Sequence, residues 1–407
     1  MVAPKLRFKE FDGDWATSKL GNLCLRNYQG INTVADKVEY QKTGYPILQA
    51  KHITSEKLDF DDVRFLSDLD FDKYRDKYIP KTNDILFSNI GTIGKVVLVG
   101  ESEPFFIAWN IFLVSVKTDL IVPFYLATYL RRLTSLSYFD NLQTGNATKF
   151  INKTDLLDTK VTLPSKEEQT KIASFLSAVD EKINQLTQKH QLLSQYKQGM
   201  MQKLFSQQIR FKADDGSEFG EWKKTEIKNI SKIFDGTHQT PNYVTAGVPF
   251  YSVEHVTANN FKNTKYIAED VYLAELKRVQ LEKGDILLTR IGDIGTCRLI
   301  DWDVRASFYV SLALIKVNKQ HNSSFVNQYI KSNLFQKELH ERTIHVAFPK
   351  KINLGEIGLC LIQLPCLEEQ TKIANFLSTI DQKMDVVSEQ LEQAKLWKKG
   401  LLQQMFV

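Results

Sequence analysis

Cysteine is scarce in this sequence. Its 407 residues hold four, Cys24, Cys297, Cys360 and Cys366, and no two stand in CxxC spacing. That excludes a disulfide framework, a zinc ribbon and a thioredoxin-type redox pair. It leaves reduced, mostly buried thiols in a cytosolic protein as the expectation. Long apolar runs are missing too. The most apolar stretch, residues 120–130, is interrupted by Pro123 and falls well short of the roughly 20 residues a membrane helix needs. The opening MVAPKLRFKEF is charged and has no apolar core, so no secretory signal is expected. The reading is a cytoplasmic chain without membrane contact. Charge of one sign is not dominant either. The 53 Lys and Arg against 48 Asp and Glu give a net +5, which permits a nucleic-acid partner without demanding one.

Catalytic signatures are equally absent. No GxxxxGK[ST] occurs, which removes a Walker-type phosphate loop. No [DNS]PP[YFW] occurs, and the nearest string, Thr240-Pro-Asn-Tyr243, lacks the second proline of an amino-methyltransferase loop. No Asp with a downstream Glu-x-Lys appears in both copies, and the single Glu221-Trp-Lys223 is read as incidental. The seven histidines never fall in a metal-ligand spacing. His52 and His255 match one another inside strand-like segments, where packing or a hydrogen bond is the plain reading. No nucleophile elbow is present. The sequence holds no self-sufficient enzyme, and neither a catalytic residue nor a metal ligand is assigned.

What is present is a duplication. LPSKEEQTKIASFLSAVDEKI (163–183) matches LPCLEEQTKIANFLSTIDQKM (364–384) at 14 of 21 positions, 201 residues apart. The same offset pairs DILFSNIGTIGKVVLV (84–99) with DILLTRIGDIGTCRLI (285–300). Similar offsets pair YPILQAKHIT with VPFYSVEHVT and GDWATSKLGNL with GEWKKTEIKNI. A period near 200 is a duplicated module, too long for a solenoid repeat. The division is 1–164, 165–206, 207–365 and 366–407. The first and third segments are aromatic, β-branched and punctuated by Gly, Asn and Asp, the texture of α+β domains.

The second and fourth segments each read as one long helix. Ile172, Val179, Leu186, Leu193 and Met200 recur every seven residues, with Leu176, Ile183, His190, Lys197 and Leu204 four behind each. The second copy repeats both series, from Ile373 to Leu401 and from Leu377 to Met405. Two interleaved sevenfold series are a coiled-coil pattern. About 40 residues make a helix roughly 60 Å long. Neither helix can hide its seam alone, so antiparallel pairing about a pseudo-twofold axis is expected, with folding back onto its own domain as the alternative. Ser165 with Glu168 forms a candidate capping box. Gly199 and Gly400 sit where the last turn should weaken.

Candidate binding residues lie in loops. QTGNATKFINK (143–153) closes the first α+β domain and TIHVAFPKKIN (343–353) the second. Asn146, Thr148, Lys149 and Lys153 in one, and His345, Lys350 and Lys351 in the other, are types that contact phosphates and base edges. A merely solvated loop is the alternative. Gly91-Thr-Ile-Gly94 and Gly292-Asp-Ile-Gly295 read as tight hairpin turns, or as a backbone approach to phosphate assisted by Lys95, Arg290 and Arg298. NYQGINTVADK (27–37) and DGTHQTPNYV (235–244) occupy matching early loops and differ completely. Asn27, Gln29 and Asn32, and His238, Gln239 and Asn242, carry groups suited to base edges, though they could equally build the turns. Off the seam, Phe175 and Phe376, Tyr196 and Trp397, and Phe205 and Phe406 repeat. They are candidate exposed anchors for a partner protein, with core packing as the alternative.

The two copies of LPxxEEQTKIAxFLSxxDxK, with QYKQGMMQKLF and LWKKGLLQQMF late in each helix, resemble conserved regions of type I restriction-modification specificity subunits. DILFSNIGTIGKV, DILLTRIGDIGT and the DGTHQTPNY loop are similar to segments of that family's target recognition domains. The resemblance implies two tandem α+β target recognition domains separated by two long antiparallel spacer helices. It implies a non-catalytic DNA-binding subunit, each domain reading one half of a bipartite asymmetric site on double-stranded DNA. The helices would set the spacing and dock two modification methyltransferase subunits, with two restriction translocase-nuclease subunits completing the complex. No cofactor is expected in this subunit; S-adenosylmethionine, ATP and Mg²⁺ belong to the partners. The rival readings are a coiled-coil scaffold that binds no nucleic acid and a diverged fragment of a self-contained restriction-modification enzyme.

Overall fold

The computed structural model describes residues 3–54, 57–143 and 149–407. Its two compact units cut across chain order. Residues 1–186 with 390–407 form one, and 187–389 form the other. The long helices, Lys166–Phe205 and Leu367–Gln404, cause this, because each gives one half to each unit.

In the first unit an antiparallel sheet runs in the order Cys24–Gln29, Ile111–Val116, Ile85–Ser88, Val96–Leu98. A smaller sheet sets Tyr45–Leu48 between Arg64–Leu66 and Phe106–Ile107, the last pairing being parallel. Helix Pro123–Ser135 covers the main sheet with Tyr125, Leu126 and Leu130, all fully buried. The second unit repeats this topology. Ser231–Asp235, Leu312–Val317, Ile286–Ile291 and Asp293–Leu299 form its main sheet, and Val248–Tyr251 pairs in parallel with Ser307–Phe308. The counterpart of the single covering helix is split into Ser323–Ile330 and Asn333–Glu341. Ser332 caps the second piece by accepting from Phe335 N–H at 3.4 Å. Gly30 and Gly236, which follow the first strand of each main sheet, need to be glycine. A Cβ there would lie 2.3 Å from the Ala108 carbonyl oxygen or 2.1 Å from that of Phe308.

Burial along the helices follows the sevenfold series. Ile172, Leu176, Val179, Leu186 and Leu204 are buried in one, and Ile373, Leu377, Ile380, Val387, Leu401 and Met405 in the other. Both expected covers are used. In the first unit Ile172, Leu176 and Val179 join the domain core together with Leu401, Met405 and Phe406 from the end of the other helix. In the second, Leu204 and Phe205 join Ile373, Leu377 and Ile380. The start of each helix thus meets the end of the other, an antiparallel pairing. The expected weakening at Gly199 and Gly400 does not end either helix, because buried Leu204, Phe205, Met405 and Phe406 hold the chain beyond them.

The two seam lysines are paired. Lys398 meets Asp180 at 2.7 Å, and Lys197 meets Asp381 at 2.6 Å. These are one contact made twice, since 201 residues separate Lys197 from Lys398 and Asp180 from Asp381. Burial pushes the Lys197 ammonium below its usual range, and the hydrogen bond to Asp381 opposes that shift. The Glu-Glu-Gln of each helix start also does more than favour a first turn. Ser165 Oγ accepts from Glu168 N–H at 3.2 Å, but the buried Glu168 carboxylate turns to Arg7, taking two bonds of 2.7 Å. Glu369 takes Arg210 at 3.1 and 2.7 Å and the Trp222 indole at 3.1 Å. Gln169 accepts from Val122 N–H at 2.9 Å, and Gln370 accepts from Asn322 N–H at 2.9 Å. Each motif therefore fastens a helix start to its own domain.

Candidate nucleic-acid interface

The lysine loops and glycine turns, separate in sequence, are joined in both domains. Gly91 N–H donates to the Lys149 carbonyl at 3.3 Å, and Ile151 N–H donates to the Asn89 carbonyl at 2.9 Å. In the second domain Gly292 N–H donates to Lys350 at 2.8 Å and Ile352 N–H to Arg290 at 3.0 Å. Buried Ile151 and Ile352 anchor these strands, so Lys149, Lys153, Lys350 and Lys351 project exposed from pinned backbone. The turns have the geometry that glycine permits. Gly91 and Gly94 have φ of 79° and 85°, and Gly292 and Gly295 have 82° and 101°, the left-handed region that other residues avoid. Lys95 closes the first turn, its N–H donating to Ser88 Oγ at 2.9 Å. Asn146 and Thr148 lie outside the described residues.

The early loops come to the same place. In the second domain Thr237 N–H donates to Phe308 at 3.0 Å, Val310 N–H to Thr237 at 2.9 Å, and Arg290 N–H to Ser311 at 2.9 Å. A cleft of about 580 Å³ is lined there by Thr240, Tyr243, Lys265, Asp293, Tyr309 and Ser311 among others. A second, of about 390 Å³, is lined by Gly292, Asp293, His345 and Lys350 among others. Asp293 lines both clefts. His238, Gln239 and Asn242 are exposed on this loop, with His238 Nε2 2.6 Å from Asp235. In the first domain Asn27 and Gln29 lie on a strand, Lys153 Nζ donates to the Asn27 carbonyl at 3.3 Å, and Gln29 donates to Trp109 O at 2.8 Å. Asn32 builds a turn, its side-chain oxygen accepting from Ala35 N–H at 3.1 Å.

Three placements correct the sequence reading. Arg290 does not reach toward a phosphate. It is buried, donating to the Val310 carbonyl at 3.0 Å and the Ile352 carbonyl at 3.1 Å, and burial holds its guanidinium below its ordinary range. Asn89, its counterpart, donates to Ile151 O at 3.3 Å, so this position clamps the lysine strand in both copies. Arg298 is engaged by Asp301 at 3.6 Å and by the Trp302 ring at 5.9 Å, not by the glycine turn. Phe205 and Phe406, expected as exposed anchors, are buried. Phe205 packs on Tyr329 and Phe325 at 5.0 and 5.9 Å, and Phe406 on Tyr125 and Tyr129 at 5.2 and 6.0 Å. Phe175 is half-buried against Phe8 and Trp397, and Phe376 against Phe211. Tyr196 and Trp397 remain half-exposed.

Trp109, Lys265, Tyr309 and Ser311 were not singled out in the sequence. The signal for Trp109, Tyr309 and Ser311 is positional, for they lie between two strands that recur at the same offset of 201 residues in the two copies. His52 and His255 serve short helical turns rather than strands, accepting from Gln49 and Ser252 N–H at 2.8 and 2.9 Å. Burial pushes the Cys24 and Cys297 thiols up to about 11 and Cys360 to about 12, while Cys366 is exposed. Among the described residues no group of three or more His, Cys, Asp or Glu could hold a metal ion, and no helix is long and apolar enough to cross a membrane.

A family profile described as the type I restriction modification DNA specificity domain matches residues 12–194 and again 220–396. The putative type I restriction enzyme MjaX specificity subunit of Methanocaldococcus jannaschii is 30% identical over 418 residues, covering 98% of this chain and 94% of its own length. The type I restriction enzyme EcoBI specificity subunit of Escherichia coli is 22% identical over 283 residues, 62% of this chain and 58% of its own. The crystal structure of a type I restriction-modification system S subunit from M. genitalium has the same fold, with a TM-score of 0.68 at 18% identity, covering 100% of this chain and 99% of that one. A scaffold without nucleic-acid binding is not favoured by these matches.

Proposed function

The chain belongs to the type I restriction-modification DNA specificity family, and on that premise we propose that its first recognition domain reads one half of a bipartite, asymmetric DNA site and its second domain the other half. One observation carries this reading. The same joint, a lysine strand bonded to a glycine turn beside an early loop, is built twice on one topology with unlike side chains. Phosphate contacts by exposed lysines fix register, and unlike polar groups beside them specify bases. Lys149, Lys153, Lys350 and Lys351 take the first role. Gln29, His238, Gln239 and Asn242 take the second. The long helices set the distance between half-sites and dock two methyltransferase subunits, which carry S-adenosylmethionine and methylate adenine. Half-exposed Tyr196 and Trp397 are the docking anchors. Two translocase-nuclease subunits using ATP and Mg²⁺ complete the enzyme, and this subunit does no chemistry itself. The complex works on DNA in the cytoplasm. The test is methylome sequencing of cells expressing the chain with its methyltransferase. One motif with two specified halves and a fixed unspecified gap is expected, and exchanging residues 207–365 for a relative's should change one half alone. A motif with a single specified block would overturn the reading.

A further inference from the structure

The loop that closes the second recognition domain carries two apolar side chains in open water. Phe348 is 104% exposed and Val346 97%. Burying an aromatic or branched aliphatic side chain is favourable, so such a pair on a loop tip is suited to contact with an apolar surface. The tip stands on a fixed base. Ile344 N–H donates to the Lys351 carbonyl at 2.8 Å and Gly292 N–H to that of Lys350 at 2.8 Å. Beneath them Ile352 is buried and its carbonyl takes Arg290 at 3.1 Å. Six residues, 345–350, are thus held out from a clamped stem. At the foot of that stem Lys350 and Lys351 are exposed, with His345 beside them. An apolar tip with two lysines at its foot complements stacked bases flanked by phosphates. Proteins that insert Phe or other apolar wedges between base steps use this arrangement.

We propose that Phe348, with Val346 beside it, enters the base stack of duplex DNA at the second half-site while Lys350 and Lys351 hold the neighbouring phosphates. This rests on the reading of the second domain as a DNA reader. The duplication supplies an internal control. At the offset of 201, Gly145, Asn146 and Ala147 stand where the second copy has Val346, Ala347 and Phe348. The first domain therefore has no wedge at this position, and insertion belongs to the second half-site alone.

The experiment uses the full chain with its methyltransferase, on duplexes carrying the methylated site with 2-aminopurine placed at successive positions through each half. Beyond the adenines that the methyltransferases flip out of the stack, the wild-type complex should raise fluorescence at one step of the second half and at none of the first. Phe348→Ala should abolish that rise and weaken binding roughly ten-fold, the range of one lost base–aromatic stack. Phe348→Trp should retain both. Because the side chain is exposed, Phe348→Ala should keep the wild-type thermal midpoint. Unchanged fluorescence and affinity in Phe348→Ala, with the second half still protected from hydroxyl-radical cleavage, overturn the insertion and leave the DNA-reading role standing. Loss of methyltransferase co-purification in Phe348→Ala overturns it in favour of a protein-docking tip. A wild-type complex that leaves the second half unprotected overturns both the insertion and the reading on which it rests.

Discussion

Exposed lysines on pinned backbone are the residues whose chemistry is most direct. Lys149 and Lys350 are held by the same main-chain bond to a glycine turn in each domain, so their ammonium groups have fixed roots and free heads. Each phosphate neutralised releases counterions and steepens the salt dependence of binding by about 0.9 in log–log slope. Lys149→Ala and Lys350→Ala should each lower affinity for specific and non-specific DNA alike and reduce that slope by about 1 in the methyltransferase complex. A salt titration that leaves affinity and slope unchanged removes the assignment. These lysines were legible because charged loop residues repeat at matched positions. Arg290 was not, because burial depends on which carbonyls the fold brings to it. The hint in the sequence was its match to Asn89, an uncharged residue that makes the same bond to the strand below. Phe205 and Phe406 misled for a similar reason. Their matched placement signalled importance, but whether an off-seam aromatic faces solvent or a recognition domain is decided by partners more than a hundred residues away.

Among the elements, the long helices were the most readable, since two interleaved sevenfold series leave little choice of structure. What the pattern hid was the use of its polar positions. Lys197 and Lys398 put charge into an apolar seam, yet each finds an aspartate whose identity depends on the register of the opposing helix. In the second unit the pair is supported further, because Gln328 donates to Asp381 at 2.7 Å. Removing one partner leaves the other charge in a half-dry seam. Lys197→Ala should therefore destabilise by about 1–3 kcal/mol, below the 3–5 kcal/mol of a fully buried pair, because the Asp381 side chain is 34% exposed. Swapping the charges, Lys197→Asp with Asp381→Lys, should recover more than half of that loss in a double-mutant cycle. Additive losses in denaturant unfolding would show that the two residues do not act as a pair. The Glu-Glu-Gln motif belongs to the same lesson. Glu168 read as one half of a capping box, whereas buried ion pairs of Glu168 with Arg7 and of Glu369 with Arg210 tie each helix to a segment that precedes its domain core.

For the whole molecule the duplication is the governing fact, and the matched offsets along the chain are enough to expose it. The early loops stayed illegible for the opposite reason, having diverged between copies, so no internal comparison constrains them. Duplication also means that one module carries both halves of each inter-helix contact. Asp180 pairs with Lys398, and Lys197 with Asp381; a chain ending near Gln208 keeps Asp180 and Lys197. It also keeps Phe205, and with it Tyr125 and Tyr129, the rings that seat Phe406 in the full chain. Left alone, this module exposes Ile172, Leu176 and Val179, which a second copy can cover in the antiparallel sense by setting Lys197 against the other copy's Asp180. A twofold dimer is the closed solution for such self-complementary surfaces. Sedimentation of the truncated chain should give a dimer, and Asp180→Lys should weaken it through like-charge contacts with Lys197. With the methyltransferase the dimer should methylate a palindrome made of the first half-site and its inverse, the original gap roughly kept. A stable monomer would defeat the shared-seam argument outright. A dimer that methylates a direct repeat would retain the pairing while reversing its sense, since only antiparallel helices turn two identical readers into an inverted pair.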